Sequence, residues 1–155
     1  MKNLLTRALR PSDLSDINRL AREARAEGFH FLDRFLADLA GAAVQLDGSA
    51  EFFLGVFWGD ELIALGGITP DPYVDDGAVG RLRHVFVAPA ARRRGIGRQL
   101  VSSLEERAWQ SYDRLRLRTD TVDASAFYAA LGYASVAEDR ATHSKRRPIN
   151  SAPRE

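Results

Sequence analysis

At 155 residues the chain is the size of one ordinary domain and can bury a substantial core without staples. Hydrophobic residues make up 45% and charged residues 28%, the balance of a soluble globular protein, and the formal net charge of +1 argues against a surface built for nucleic acid. No cysteine is present, which excludes disulfides, thiolate metal sites and cysteine nucleophiles.

Near the N-terminus the apolar run is broken by Arg7, and no stretch approaches the roughly 18 apolar residues of a membrane span. A cytoplasmic protein with no membrane partner is expected. Residues 4–9 read as a first strand. Pro11, Ser12 and Asp13 open a helix whose Leu14, Ile17, Leu20, Ala21 and Ala24 form one stripe. Gly28 interrupts it. Phe31, Leu32, Phe35, Leu36 and Leu39 then recur at helical spacing in a second piece that ends near Gly41. Residues 51–58 and 61–68 are apolar runs joined by Gly59-Asp60, which predicts a β-hairpin. Turn chemistry makes residues 69–77 a loop, and residues 81–87 predict a strand that stops before Pro89.

Beyond the glycines, Ile96, Leu100, Leu104 and Ala108 mark one face of a helix running to about Trp109. Residues 114–119 alternate, so a strand with Leu115 and Leu117 turned inward is expected. A short helix holds Phe127, Tyr128 and Leu131, Gly132 caps it, and one or two weak strands follow. The order predicts a mixed α/β sheet flanked by helices. One domain is expected over residues 1–144, with residues 145–155 as a polar tail.

Chemistry concentrates in residues 82–104, where a buried strand and a proline stop are followed by an arginine-rich loop, Gly95, Gly97 and an amphipathic helix. The first turn of a helix has backbone N–H groups with no internal partner and a positive dipole end. Gly95 and Gly97 leave those donors approachable, and Arg92, Arg93, Arg94 and Arg98 surround them with charged donors. Each feature alone also suits a strand-to-helix turn with a solvated arginine run. Together they predict a phosphate or pyrophosphate cradle. A P-loop is disfavoured because Gly97 is followed by Arg98-Gln99, and a dinucleotide fingerprint because position 100 is Leu.

The run Val87-x-Pro89-x-x-Arg92-x-x-Gly95-Ile96-Gly97-x-x-Leu100 resembles the acetyl-CoA signature of the GNAT acetyltransferases. The element order is similar to that fold over nearly the whole chain. The resemblance implies acetyl-CoA as co-substrate, with Val85, Phe86 and Val87 on the strand that holds the pantetheine arm and residues 93–98, Ile96 included, on the pyrophosphate. Residues 124–133 are similar to the family's late helix, which places Tyr128 as the proton donor to the departing thiolate. Two positions depart from the pattern. Thr121 stands where many relatives carry a cofactor-touching Asn, and Arg81 where some carry a basic Glu.

His84 is the catalytic candidate on the strand, a neutral-range imidazole expected to share a face with Leu82 and Phe86 unless a bulge intervenes. A water chain to Asp75, Asp76 or Glu51 is the other candidate base. His30 and His143 have no companions at metal-ligand spacing, so no metal is expected. For the acceptor, the resemblance points to residues 25–36 and 69–79. There Asp71, Asp75 and Asp76 could pair with a cationic amine, and Phe29, Phe31 and Tyr73 could supply apolar contact. The expected partner is a small-molecule or peptide amine, with a homodimer open. The implied reaction is direct attack of the amine on the thioester carbonyl. The alternative is a non-catalytic acyl-CoA-binding sensor on the same fold.

Overall fold

The computed structural model describes residues 3–149. Its elements are β1 (Leu4–Ala8), α1 (Leu14–Ala26), α2 (Phe31–Ala40), β2 (Phe52–Trp58), β3 (Glu61–Pro70), β4 (Val79–Val87), α3 (Ile96–Ala108), β5 (Arg114–Leu117), α4 (Val122–Ala130), β6 (Ala134–Glu138) and β7 (Ala141–Arg146). One seven-stranded sheet runs in the order β1-β2-β3-β4-β5-β7-β6. Only the β4–β5 pair is parallel. Among the described residues no helix is long and apolar enough to cross a membrane.

The apolar runs of β2 and β3 lack the alternation of a half-exposed strand because helices cover both faces. Two adjacent glycines in β3 show this. A Cβ on Gly66 would lie 2.9 Å from Val85 and 3.2 Å from Leu104 of α3, whereas one on Gly67 would lie 2.1 Å from the Phe53 ring. Phe53 in turn stacks on Phe35 of α2 at 4.6 Å between centroids. Successive residues point to opposite faces, so α3 and α2 pack on opposite sides of the sheet. The stripe of α3 buries Ile96, Leu100, Leu104 and Ala108, as its spacing requires.

β4 pairs with β3 from Gly80 out to Val87, but with β5 only at Val79, Gly80 and Arg81. Past Arg81 the two strands part, and the β5-side edge of residues 82–87 has no strand partner among the described residues. An ion cluster pins the point of divergence. Arg81 and Arg116 are register partners, and both reach Asp71. Arg116 donates to the Asp71 carboxylate at 2.8 and 3.2 Å, and Arg81 approaches it at 3.4 Å. Although burial alone would raise it, Arg116, the Tyr73 N–H and Arg81 together hold the Asp71 carboxyl below its ordinary value.

Three expectations change here. β3 continues through Thr69 and Pro70, which turn chemistry had placed in a loop. Arg116 is buried along with Leu115 and Leu117 instead of facing water, because Asp71 and Glu138 compensate its charge. The domain boundary expected at 144 falls inside β7, where Lys145 and Arg146 pair with Leu115 and Arg114. Lys145 also donates to Glu105 of α3 at 3.0 Å. The expected tail from residue 150 on lies outside the described residues.

Replacing Asp71 by Asn leaves a buried guanidinium uncompensated. Denaturant unfolding is expected to show a loss of about 3–5 kcal/mol, with a midpoint lower by roughly 10 °C. The double change Asp71→Leu with Arg116→Met should recover most of that loss.

Candidate active site at the opening between β4 and β5

β4 carries a bulge. Arg83 pairs with Gly67 and Phe86 with Leu65, so His84 and Val85 together oppose Gly66. His84 adopts a left-handed backbone (φ +60°), and the extra residue re-aims the strand. Consecutive side chains Arg83 and His84 consequently line the same cavity, of about 430 Å³, on the α2 side. Val85 remains on the α3 side.

The His84 ring lies in an aromatic cluster, with centroids 5.2 Å from Phe35, 6.2 Å from Phe53 and 6.4 Å from Phe31. Burial, reinforced by Arg83 and Arg34, pushes the imidazole down to about 3. It is therefore neutral near pH 7 and too weakly basic to keep a proton taken from an amine. That environment does not suit the general-base role expected of it. His84 is a neutral wall of the cavity with no hydrogen-bond partner among the described residues.

Phe29 and Phe31, expected on the acceptor side, lie just before α2 and at its first residue and do not line that cavity. Phe31 packs at 6.2 Å from Phe86 and 5.8 Å from Phe29. The turn that places them closes α1 around Gly28 (φ +89°). Gly28 N–H bonds the Arg25 carbonyl and Phe29 N–H the Ala24 carbonyl, which satisfies the helix's last carbonyls. The other acceptor candidates lie elsewhere. Asp71 is buried on its two arginines, so its charge is already neutralised. Tyr73 sits between Arg81 and Arg140, at 5.0 and 5.2 Å from its ring. Asp75 is exposed and does not line the His84 cavity.

After β4, Ala88 N–H bonds the Ile63 carbonyl and the chain makes a single 3-10 turn at Pro89–Ala91. Arg93 (φ +66°) and Gly95 (φ +76°) are both left-handed, so the loop turns its N–H groups outward ahead of α3. A Cβ on Gly95 would meet open space, so conformation alone calls for glycine there. Gly97 is different: a Cβ would lie 3.2 Å from the Phe127 ring of α4. Its absence brings α4 against the start of α3. Arg93 and Arg98 are exposed and hold no ion pair among the described residues, whereas Arg94 lies over Trp58 at 5.3 Å. Arg92 is already engaged. Its guanidinium grips Glu27 at 2.7 Å through Nη1 and donates through Nε to the Val87 carbonyl at 3.0 Å, so it braces the loop against α1.

Tyr128 comes from α4, with its ring edge-on to Phe127 and Tyr133. Burial raises its pKa, so the hydroxyl stays protonated and can act as a donor. The Thr121 hydroxyl accepts from Ala124 N–H at 3.1 Å and caps α4. That helix is further fixed by a network that spacing did not reveal. Ser125 Oγ lies 3.1 Å from His143 Nε2 and Thr142 Oγ1 lies 2.8 Å from His143 Nδ1. His143 is buried on β7 opposite Leu117. No sequence signal joins residues 125 and 143, because only the β5–β7 pairing brings them together. Among the described residues no cluster of three metal-binding side chains occurs.

The sequence matches the acetyltransferase (GNAT) family over residues 14–133. The chain is a member of that family. No curated protein sequence matches it. In structure it is similar to a protein from Exiguobacterium sp. 255-15 assigned to the acetyltransferases, with 26% identity and a TM-score of 0.82 over 93% of each chain. The PaiA N-acetyltransferase of Thermoplasma acidophilum, solved with coenzyme A, shares the fold at 18% identity and a TM-score of 0.71, over 94% of this chain and 99% of that one. A GNAT acetyltransferase of Brucella melitensis, solved with acetyl-CoA, shares it at 17% identity and 0.70, over 98% and 92%. In the GNAT member described here the signature's Arg92 pairs with Glu27.

The depressed His84 titration has a consequence for stability. Between about 3 and 6.5 the unfolded chain holds a proton on this imidazole that the folded chain does not. Stability from this group is therefore complete above that window and falls as the pH drops through it. At pH 5 the loss is about 2 kcal/mol. Denaturant titrations at pH 7.5 and 5 should show it in the native protein, and His84→Asn, which tolerates the left-handed backbone, should abolish it.

Proposed function

We propose that this GNAT protein transfers the acetyl group of acetyl-CoA to a primary amine by direct attack. The observation that carries the reading is the unpaired edge of β4 over residues 82–87. It ends beside the left-handed loop at Arg93 and Gly95, with Tyr128 on the neighbouring α4. An extended ligand arm can pair with such an edge as an added strand would. The free donors of residues 93–98, with Arg93 and Arg98, suit a pyrophosphate at the other end. The open space around Gly95 fits a bulky anion there.

Bound acetyl-CoA would supply the acyl group as a thioester. Within the protein, Phe86 and Val87 offer backbone groups and Tyr128 holds a proton ready for a thiolate. Of the carboxylates considered as the end of a proton path from the amine, Glu51 lines the cavity beside His84. Asp76 lines a separate cleft with Arg114 and Arg146.

Thermal unfolding with acetyl-CoA, ATP and NAD tests the cofactor. At a hundred times its dissociation constant a ligand adds about 2.7 kcal/mol, a rise of several degrees that only acetyl-CoA should produce. Free-thiol release with added amines tests the transfer, and Tyr128→Phe should slow turnover by about 100-fold while leaving the midpoint rise intact. A rise without thiol release, unaffected by Tyr128→Phe, would establish the sensor alternative instead. Separately, Arg93→Ala and Arg98→Ala should each weaken acetyl-CoA binding by roughly 3–10-fold, with a smaller salt dependence than the native protein.

A further inference from the structure

The cavity beside the bulge is charged at both ends and apolar between them. Phe53, Gly67 and Arg83 are in register across β2, β3 and β4, so Arg83 stands two strand spacings, roughly 10 Å, from Phe53. Glu51 lies two residues before Phe53, on the same face, and Asp38 is in the last turn of α2, which covers that face. Both carboxylates line the cavity together with Arg83. The Phe53 ring, lying over Gly67, forms an apolar floor between them.

Arg83 and Asp38 have no ion-pair partner among the described residues, and the Glu51 carboxylate accepts from Gln45 N–H. Three charged side chains thus line one cavity with no ion pair among them. A plain diamine would set a cation against Arg83, and an aliphatic amino acid would leave Asp38 and Glu51 unmatched. A ligand with an anion at one end and a cation at the other matches both. Arg83 and His84 lie two and three residues past Arg81, the last residue that pairs with β5, so the anionic end belongs beside the unpaired edge.

Resting on the acetyl-transfer reading, we propose that the acceptor is a free α-amino acid with a cationic side chain. Its carboxylate sits on Arg83, its side-chain cation between Asp38 and Glu51, and its α-amine at the open edge of β4. The transfer forms a bond from the α-nitrogen to the acetyl carbon and breaks the carbon–sulfur bond. The amine gives up one proton and the departing thiolate takes one.

L-Arginine is the informative probe, because its α-amine is its only nucleophilic amine near neutral pH. Agmatine lacks the carboxylate and L-norleucine the cation. Measured by thiol release and product mass, kcat/KM for L-arginine should exceed that for either analogue by at least about tenfold. Arg83→Gln should bring the arginine-to-agmatine ratio towards one, and Asp38→Asn with Glu51→Gln should do the same for arginine against norleucine. Retention of the acetyl-CoA midpoint rise shows that these variants are folded. Equal rates for all three amines in the native protein overturn the proposal, as does an Arg83→Gln variant that keeps the ratio. Thiol release with other primary amines but not with L-arginine overturns it while acetyl transfer stands. Release with no amine at all removes the transfer reading and the proposal with it.

Discussion

Two arginines on neighbouring parallel strands share one buried carboxylate, and the rest of the architecture follows from where that occurs. Arg81 and Arg116 are the last paired residues of β4 and β5, and Asp71 binds both. Like charges side by side in a sheet interior would repel. The carboxylate between them makes the pairing tenable up to that point, and beyond it nothing joins the strands. Glu138 and the Asp139 carbonyl complete the coordination of Arg116, so the β6–β7 turn and the loop after β3 meet on the same guanidinium. Such a cluster is costly to break because each group is desolvated and depends on the others.

Part of the backbone strain, at His84 and Arg93, lies past that point, while Ala42 and Arg140 carry the rest among the described residues. His84 and Arg93 are left-handed without being glycine, each a local cost of order 1–3 kcal/mol that the surrounding packing must sustain. At His84 the aromatic contacts with Phe31, Phe35 and Phe53 do so. At Arg93 the loop is braced through its neighbour Arg92, which ties it to Glu27 and the Val87 carbonyl. The bulge turns Arg83 and His84 into one cavity, and the loop turns its donors outward. Both distortions therefore aim polar groups where regular strand or helix would not direct them.

These two devices also link the faces of the molecule. The side formed by α3, α4 and the loop before α3 meets the cavity side, formed by α2 and the start of β2, along the single strand β4. Arg92 and Glu27 connect them a second time, because Glu27 closes α1 immediately before Phe29 and Phe31. A change on one side of β4 is expected to be felt on the other through these residues.

Much of this was legible from local pattern. The stripes of α1 and α3, the hairpin at Gly59-Asp60, the turn at Gly95 before α3 and the short helix that carries Tyr128 all depend on residues close in sequence, where spacing maps directly onto geometry. What could not be read depended on partners far along the chain. Asp71 looked like an exposed loop acid until Arg116, 45 residues on, supplied the charge that buries it. Arg116 looked like the wet face of an alternating strand for the same reason. His84 looked like a base because an imidazole in water titrates near neutrality, and the packing of α2 against the bulge, with Arg83 and Arg34 nearby, lowers that value. Periodicity and turn chemistry determined the elements, and the motif over residues 87–100 carried the resemblance to the family. Tertiary structure decided which charges are spent inside the fold and which face a ligand, because desolvation and pairing are properties of neighbours in space.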